Sequence, residues 1–150
     1  MTSYKEAKDA LAPMLGRWKC DNTRSESIIE MMAEMGLRPI VGERSNVNDP
    51  ILHLYIDDDQ LVSAMKQPYN SKTSIVHLDG RETEDVIIGG GTAKSHFEMI
   101  DGRPVVITTP DDPNQKTVSL TRVMIDDELV QLIQVIGGTA VSKRYFVKQD

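Results

Sequence analysis

From residue 51 onward the chain is written in short runs in which apolar and polar positions alternate, each run closed by turn-forming residues. A period of two puts successive side chains on opposite faces of a strand, so these runs predict half-buried β-strands. They cover Ile51 to Ile56, Leu61 to Lys66, Thr73 to Leu78, Asp85 to Ile88, Lys94 to Ile100, Pro104 to Thr109, Thr117 to Ile125, Leu129 to Ile136 and Val141 to Lys148. Asp57-Asp58-Asp59, Asp79-Gly80, Gly89-Gly90-Gly91, Asp101-Gly102, Asp126-Asp127 and Gly137-Gly138 punctuate them. A further strand around Arg17 to Asp21 brings the total to about ten, joined by loops too short for parallel crossovers. The expected fold is therefore all-β: a ten-stranded antiparallel up-and-down β-barrel, since closure removes exposed edges.

Ahead of the strands the period changes. Asn22 to Ser27 offer several N-cap side chains, Ile28, Ile29, Met31, Met32 and Met35 follow at helical spacing, and Gly36 stops the run. Pro39 suits the first turn of a second short helix through about Arg44. Residues 1–13 read as an N-terminal extension and 14–150 as a single domain. Within the extension Tyr4, Ala7, Leu11 and Met14 could share one face of an amphipathic turn, which Pro13 limits.

Two cations interrupt faces that otherwise look interior. Val118, Leu120, Arg122 and Met124 share one face of their strand, and Val141, Lys143, Tyr145 and Val147 share one face of theirs. A charge turned toward an apolar interior costs several kcal/mol unless it is paired. Two such cations near one end of the chain call for an anion, and the expectation is that a ligand supplies it.

Composition narrows the classes. The chain has 150 residues, 17 lysines and arginines and 23 acids, for a formal charge of −6. That balance argues against nucleic acid as a partner. Cys20 is the sole cysteine, so no internal disulfide can form, and the charged opening lacks an apolar signal segment. A reducing, cytoplasmic setting is expected, with a monomer as the default state. No apolar run reaches the roughly 18 residues of a membrane span. Gly89 to Ser95 echoes a phosphate loop, but Ala93 replaces a required glycine and a strand pattern follows it. His53, His77 and His96 lack metal-ligand spacing, and no catalytic signature or cofactor fingerprint is present. The chain is read as a non-enzyme without cofactor or metal.

Gly16-Arg17-Trp18-Lys19, the helix ending Met32-Ala33-Glu34-Met35-Gly36, Lys94-Ser95, Asp101-Gly102, Arg122 followed by Asp126-Asp127 and Leu129, and the closing Lys143-Arg144-Tyr145 fall in one order. In that order, at close to the same spacing, they resemble the intracellular fatty-acid-binding protein family over roughly residues 14 to 148. The resemblance implies a clam-like, calycin-type barrel around a large cavity, with a helix-turn-helix lid over its mouth. It also implies a fatty-acid carboxylate held inside by two arginines and a tyrosine. Arg122 matches the first arginine. With one residue inserted near Gly137-Gly138, Lys143 and Tyr145 match the closing pair; without it, Ser142 and Arg144 do. Lys143 and Tyr145 are preferred here because they share a face with Val141 and Val147. A lysine there would replace a planar fork by a point charge and hold a carboxylate less directionally.

The expected function is non-enzymatic binding and transport of long-chain fatty acids or similar hydrophobic carboxylates. Each buried methylene adds about 0.8 kcal/mol, so the tail supplies affinity while the cations select the head group. Expected ligand contacts are Arg122, Lys143, Tyr145 and Gln131, with Leu52, Leu54, Met65, Phe97, Met99, Leu120 and Ile133 as wall. Ile56, Leu61, Ser63 and Met124 fall on the same faces. Retinoids are an alternative ligand, since related barrels hold them. The lid offers transient contact to membranes or proteins, although its basic residues are few: Arg24, Arg38 and Arg44. A rival reading is a barrel serving as a scaffold for protein contacts with a vestigial cavity, consistent with an aromatic content of only 5%.

Overall fold

The computed structural model of the protein describes residues 4–21, 24, 50–66, 71–86, 91–138 and 141–149. The expected lid helices fall outside the described residues. Ten strands form one sheet: β1 Gly16–Cys20, β2 Ile51–Asp57, β3 Gln60–Lys66, β4 Ser71–His77, β5 Thr83–Val86, β6 Thr92–Ile100, β7 Arg103–Pro110, β8 Val118–Ile125, β9 Glu128–Val135 and β10 Val141–Gln149. Neighbours in sequence pair antiparallel everywhere but between β4 and β5, and β1 pairs with both β2 and β10, so the meander returns to its first strand. The seam lies between β4 and β5, which are adjacent without a ladder. Thr83 Oγ1 donates to Ile75 O across it at 2.7 Å, and Lys72 Nζ lies 3.5 Å from Asp85 Oδ1. The barrel is thus nearly closed.

Tight acidic turns set the register of three hairpins. Asp57 faces Gln60, Ile100 faces Arg103 and Ile125 faces Glu128, leaving two residues at each tip. Asp101 and Gly102 both have positive φ (53° and 76°), as do Asp126 and Asp127 (50° and 65°). Two consecutive positive φ values match the right-handed twist of the flanking strands, which is why aspartate and glycine punctuate the sequence there. β5 begins two residues before the expected Asp85 start, and residues 87 and 88 lie outside those described. Its inward positions, Thr83 and Asp85, are polar and give no hydrophobic signal.

The N-terminal segment is α1, Tyr4–Leu11, followed by a short 3-10 turn, Ala12–Met14. Pro13 stands just past the helix and ends it instead of preventing it. Ala7, Leu11 and Met14 are buried in one cluster with Trp18, Leu54, Leu61, Leu78, Phe97 and Phe146. At roughly 1.5–3 kcal/mol for a fully buried leucine, Leu11 alone gives α1 a reason to stay docked. Trp18 Nε1 donates to Met14 O at 2.8 Å, satisfying the indole that this packing buries. Lys148 Nζ lies 4.8 Å from the Trp18 ring centroid and donates to Leu15 O at 2.7 Å. Gly16 has φ +122°, a backbone conformation that residues with a Cβ rarely adopt, which favours glycine at this corner.

Candidate functional site

Strand phase, carried through the ladders, decides what faces the barrel interior. Residues directly opposite in an antiparallel pair share a face. Phe97, Val106, Leu120, Ile133 and Ser142 therefore form one inward row across β6 to β10. The next inward row is Arg122, Gln131 and Arg144, and beyond it lie Met124, Leu129, Phe146 and Cys20. On the opposite wall Trp18, Leu52, Met65 and Lys72 form one row and Leu54, Ser63 and Ser74 another.

Arg122 is the buried cation of these inward rows. It is 5% exposed, and burial in apolar surroundings lowers its pKa to about 10, so it stays charged at neutral pH. Its Nε donates to Gln131 Oε1 at 2.8 Å and its Nη2 to Ser63 Oγ at 3.3 Å. Both partners are neutral, and among the described residues no carboxylate pairs with it. In the strand order β3 and β8 are five steps apart by either route, so the bond to Ser63 spans the lumen from wall to wall. Gln131 is itself 3% exposed and takes its orientation from Arg122.

Arg144, not Lys143, completes this row. It stands opposite Gln131 in the ladder, and its Nη2 lies 3.2 Å from the buried Cys20 Sγ. The expectation for Lys143 and Tyr145 is corrected: they share a face with Val141 and Val147, as the alternation required, but that face is the outer one. Val141 is 49% and Val147 41% exposed, whereas Ser142 and Phe146 on the other face are buried. On the outside, Lys143 Nζ lies 5.3 Å and Arg24 Cζ 4.8 Å from the Tyr145 ring centroid. Hydrophobic content favoured one face of β10, and pairing with β9 chose the other.

Of the remaining expected contacts, Phe97, Met99, Leu120 and Ile133 face inward on the β6 to β9 wall, and Leu52, Leu54 and Met65 on the β2 and β3 wall. Leu52, Leu54 and Phe97 are fully buried in the core cluster, so part of the expected wall is packing around the base. Missing from the expected site are Asp85, Ser95 and Thr108, inward polar residues of β5, β6 and β7. The two-residue period that turned Phe97 inward also turns Ser95 inward, so that signal was available. The glycine run ahead of β6 leads into a strand and not a helix, in agreement with the rejected phosphate loop. The histidines lie on outward rows: His77 Nδ1 is 3.8 Å from Asp59 Oδ2 and His96 Nε2 is 3.4 Å from Glu98 Oε1.

Arg24 marks the start of the connection from β1 to β2. It holds Glu128 with two bonds, 3.0 and 2.6 Å, and Asp21 Oδ2 at 2.9 Å. The guanidinium lowers the Glu128 pKa, chiefly through these hydrogen bonds, and its own pKa is raised. Among the described residues no cluster of metal-ligating side chains occurs, and no helix is long and apolar enough to cross a membrane.

No protein-family model matches the chain, and no curated protein matches it. Solved structures do. Apo lipid binding protein 8 of Caenorhabditis elegans aligns with a TM-score of 0.81 at 19% identity, covering 99% of both chains. The Schistosoma mansoni fatty acid binding protein in complex with arachidonic acid gives 0.79 at 18% identity, over 94% of this chain and 99% of that one. Fatty-acid-binding protein 1 of Echinococcus granulosus gives 0.78 at 19% identity, over 93% and 99%. The chain has the barrel fold of these proteins.

Proposed function

We propose that this protein binds a long-chain fatty acid or a similar hydrophobic carboxylate inside its barrel and carries it without catalysis. Arg122, Arg144 and Gln131 would receive the head group, and the inward apolar rows would cover the tail. One observation carries the reading. Arg122 is a buried, inward-facing cation whose hydrogen bonds among the described residues go only to neutral groups, on the row that also holds Gln131 and Arg144. An arginine held in that state gains more from an anion than one already paired, because its desolvation has been met before the ligand arrives. The likeness to a barrel solved with arachidonic acid supports the same class of ligand.

Gln131 deepens the fit. Its side-chain carbonyl already accepts from Arg122, which leaves its amide N–H groups able to donate to a carboxylate oxygen. The test is calorimetric titration of a saturated fatty acid and the matching alcohol into the delipidated protein and into Arg122→Ala. A charged hydrogen-bonded contact implies a loss of roughly ten- to a hundredfold for the acid and little for the alcohol. Equal losses for both ligands would remove Arg122 from the head-group role.

A further inference from the structure

The lumen has a second polar pole, away from the arginine row. Thr83, Ser95, Thr108 and Val118 form one inward row across β5 to β8. Ser95 is 1% exposed, and its Oγ lies 2.8 Å from Thr108 Oγ1 and 3.3 Å from Asp85 Oδ2. Asp85 is anchored in turn by Lys72 at 3.5 Å. The inward residues flanking Ser95 on β6, Ala93 and Phe97, are buried and apolar, so this pole is a local departure from a greasy wall.

Its hydrogen bonding leaves room for a guest. If Ser95 donates to Asp85, then Thr108 donates to Ser95, and the lone pairs of Thr108 Oγ1 can still accept a hydrogen bond. Asp85 makes the pole unsuitable for a carboxylate, which its charge would repel. A neutral hydroxyl fits. Thr108 pairs with Val118, four residues along β8 from Arg122, so the two poles are separated by ~13 Å along the strand axis.

We infer that the preferred ligand is an oxygenated acyl chain, a fatty acid with a hydroxyl near mid-chain, and that Ser95 and Thr108 receive that hydroxyl. This rests on the head-group reading above and assigns a second, mid-chain polar group of the same molecule. A plain chain would bury the serine–threonine pair against methylenes and leave acceptor capacity unused, whereas a hydroxylated chain recovers it.

Two ligand pairs test the inference by calorimetry on the delipidated full-length protein: octadecanoic against 12-hydroxyoctadecanoic acid, and octadecanol against 1,12-octadecanediol. The hydroxylated member of each pair should bind roughly five-fold tighter, one net hydrogen bond's worth. Ser95→Ala and Thr108→Val should abolish that preference while leaving octadecanoic acid binding unchanged or improved. Equal binding within each pair, or a loss in the variants shared by plain and hydroxylated chains, overturns the inference. A hydroxyl preference in both pairs without any preference for acid over alcohol supports this pole and overturns only the head-group reading. A protein that takes none of the four ligands overturns both.

Discussion

Arg122 shows how one residue trades stability for readiness. Burial lowers its pKa, so the folded chain holds this proton less firmly than the unfolded chain does. For a base lowered in this way the penalty is present in full below about pH 10, and it fades only as pH climbs from there toward the ordinary arginine value. At neutral pH, Arg122→Met should therefore stabilise the empty barrel by roughly 1–3 kcal/mol, seen as a raised melting temperature, while carboxylate binding is lost. A lowered melting temperature would mean that its bonds to Gln131 and Ser63 outweigh the buried charge. Two adjacent cations of β10, Lys143 and Arg144, offer a sharper contrast. Arg144→Ala should weaken fatty-acid binding at least roughly ten-fold and Lys143→Ala no more than about two-fold, because only the first shares Arg122's face. The sequence made Arg122 legible as an inward cation, since its neighbours at two-residue spacing are all apolar. It left β10 ambiguous, because each face of that strand holds at least one cation and one aromatic ring, and only the pairing of Arg144 with Gln131 decides between them.

At the scale of elements, local chemistry was easiest to read where backbone demands are strict. The tips at Asp101-Gly102 and Asp126-Asp127 need positive φ at both positions, and the residue types announced it. Asp127 is the weaker fit at its position, since an aspartate in the left-handed region is strained where glycine is not. Asp127→Gly should accordingly raise stability by about 0.5 kcal/mol in chemical denaturation, net of the extra freedom glycine has when unfolded. A loss of stability would indicate that the Asp127 side chain contributes more than its backbone strain costs. β5 is harder to place because its inward residues are polar, and α1 because Pro13, which reads as a limit on the helix, serves as its stop. Both were hidden by context that lies elsewhere in the chain: a polar pocket in one case, a barrel base in need of a plug in the other.

For the whole molecule, the up-and-down order followed from short loops and alternation, whereas closure needed contacts between residues far apart in sequence. Trp18 with Met14, Lys148 with Leu15 and Thr83 with Ile75 tie the base and the seam. The bond from Arg122 to Ser63 has a consequence of another kind. That bond is a crossbeam, fixed to two walls that no backbone ladder joins directly. A guest that claims the guanidinium removes the beam and becomes the strut itself, so occupancy should be felt at β3, 59 residues from the arginine that senses it. Hydrogen exchange at the amides flanking Ser63 should change when the protein is loaded with fatty acid and should be indifferent to loading in Arg122→Ala; unchanged exchange in the native chain would mean that the two walls stand without the beam.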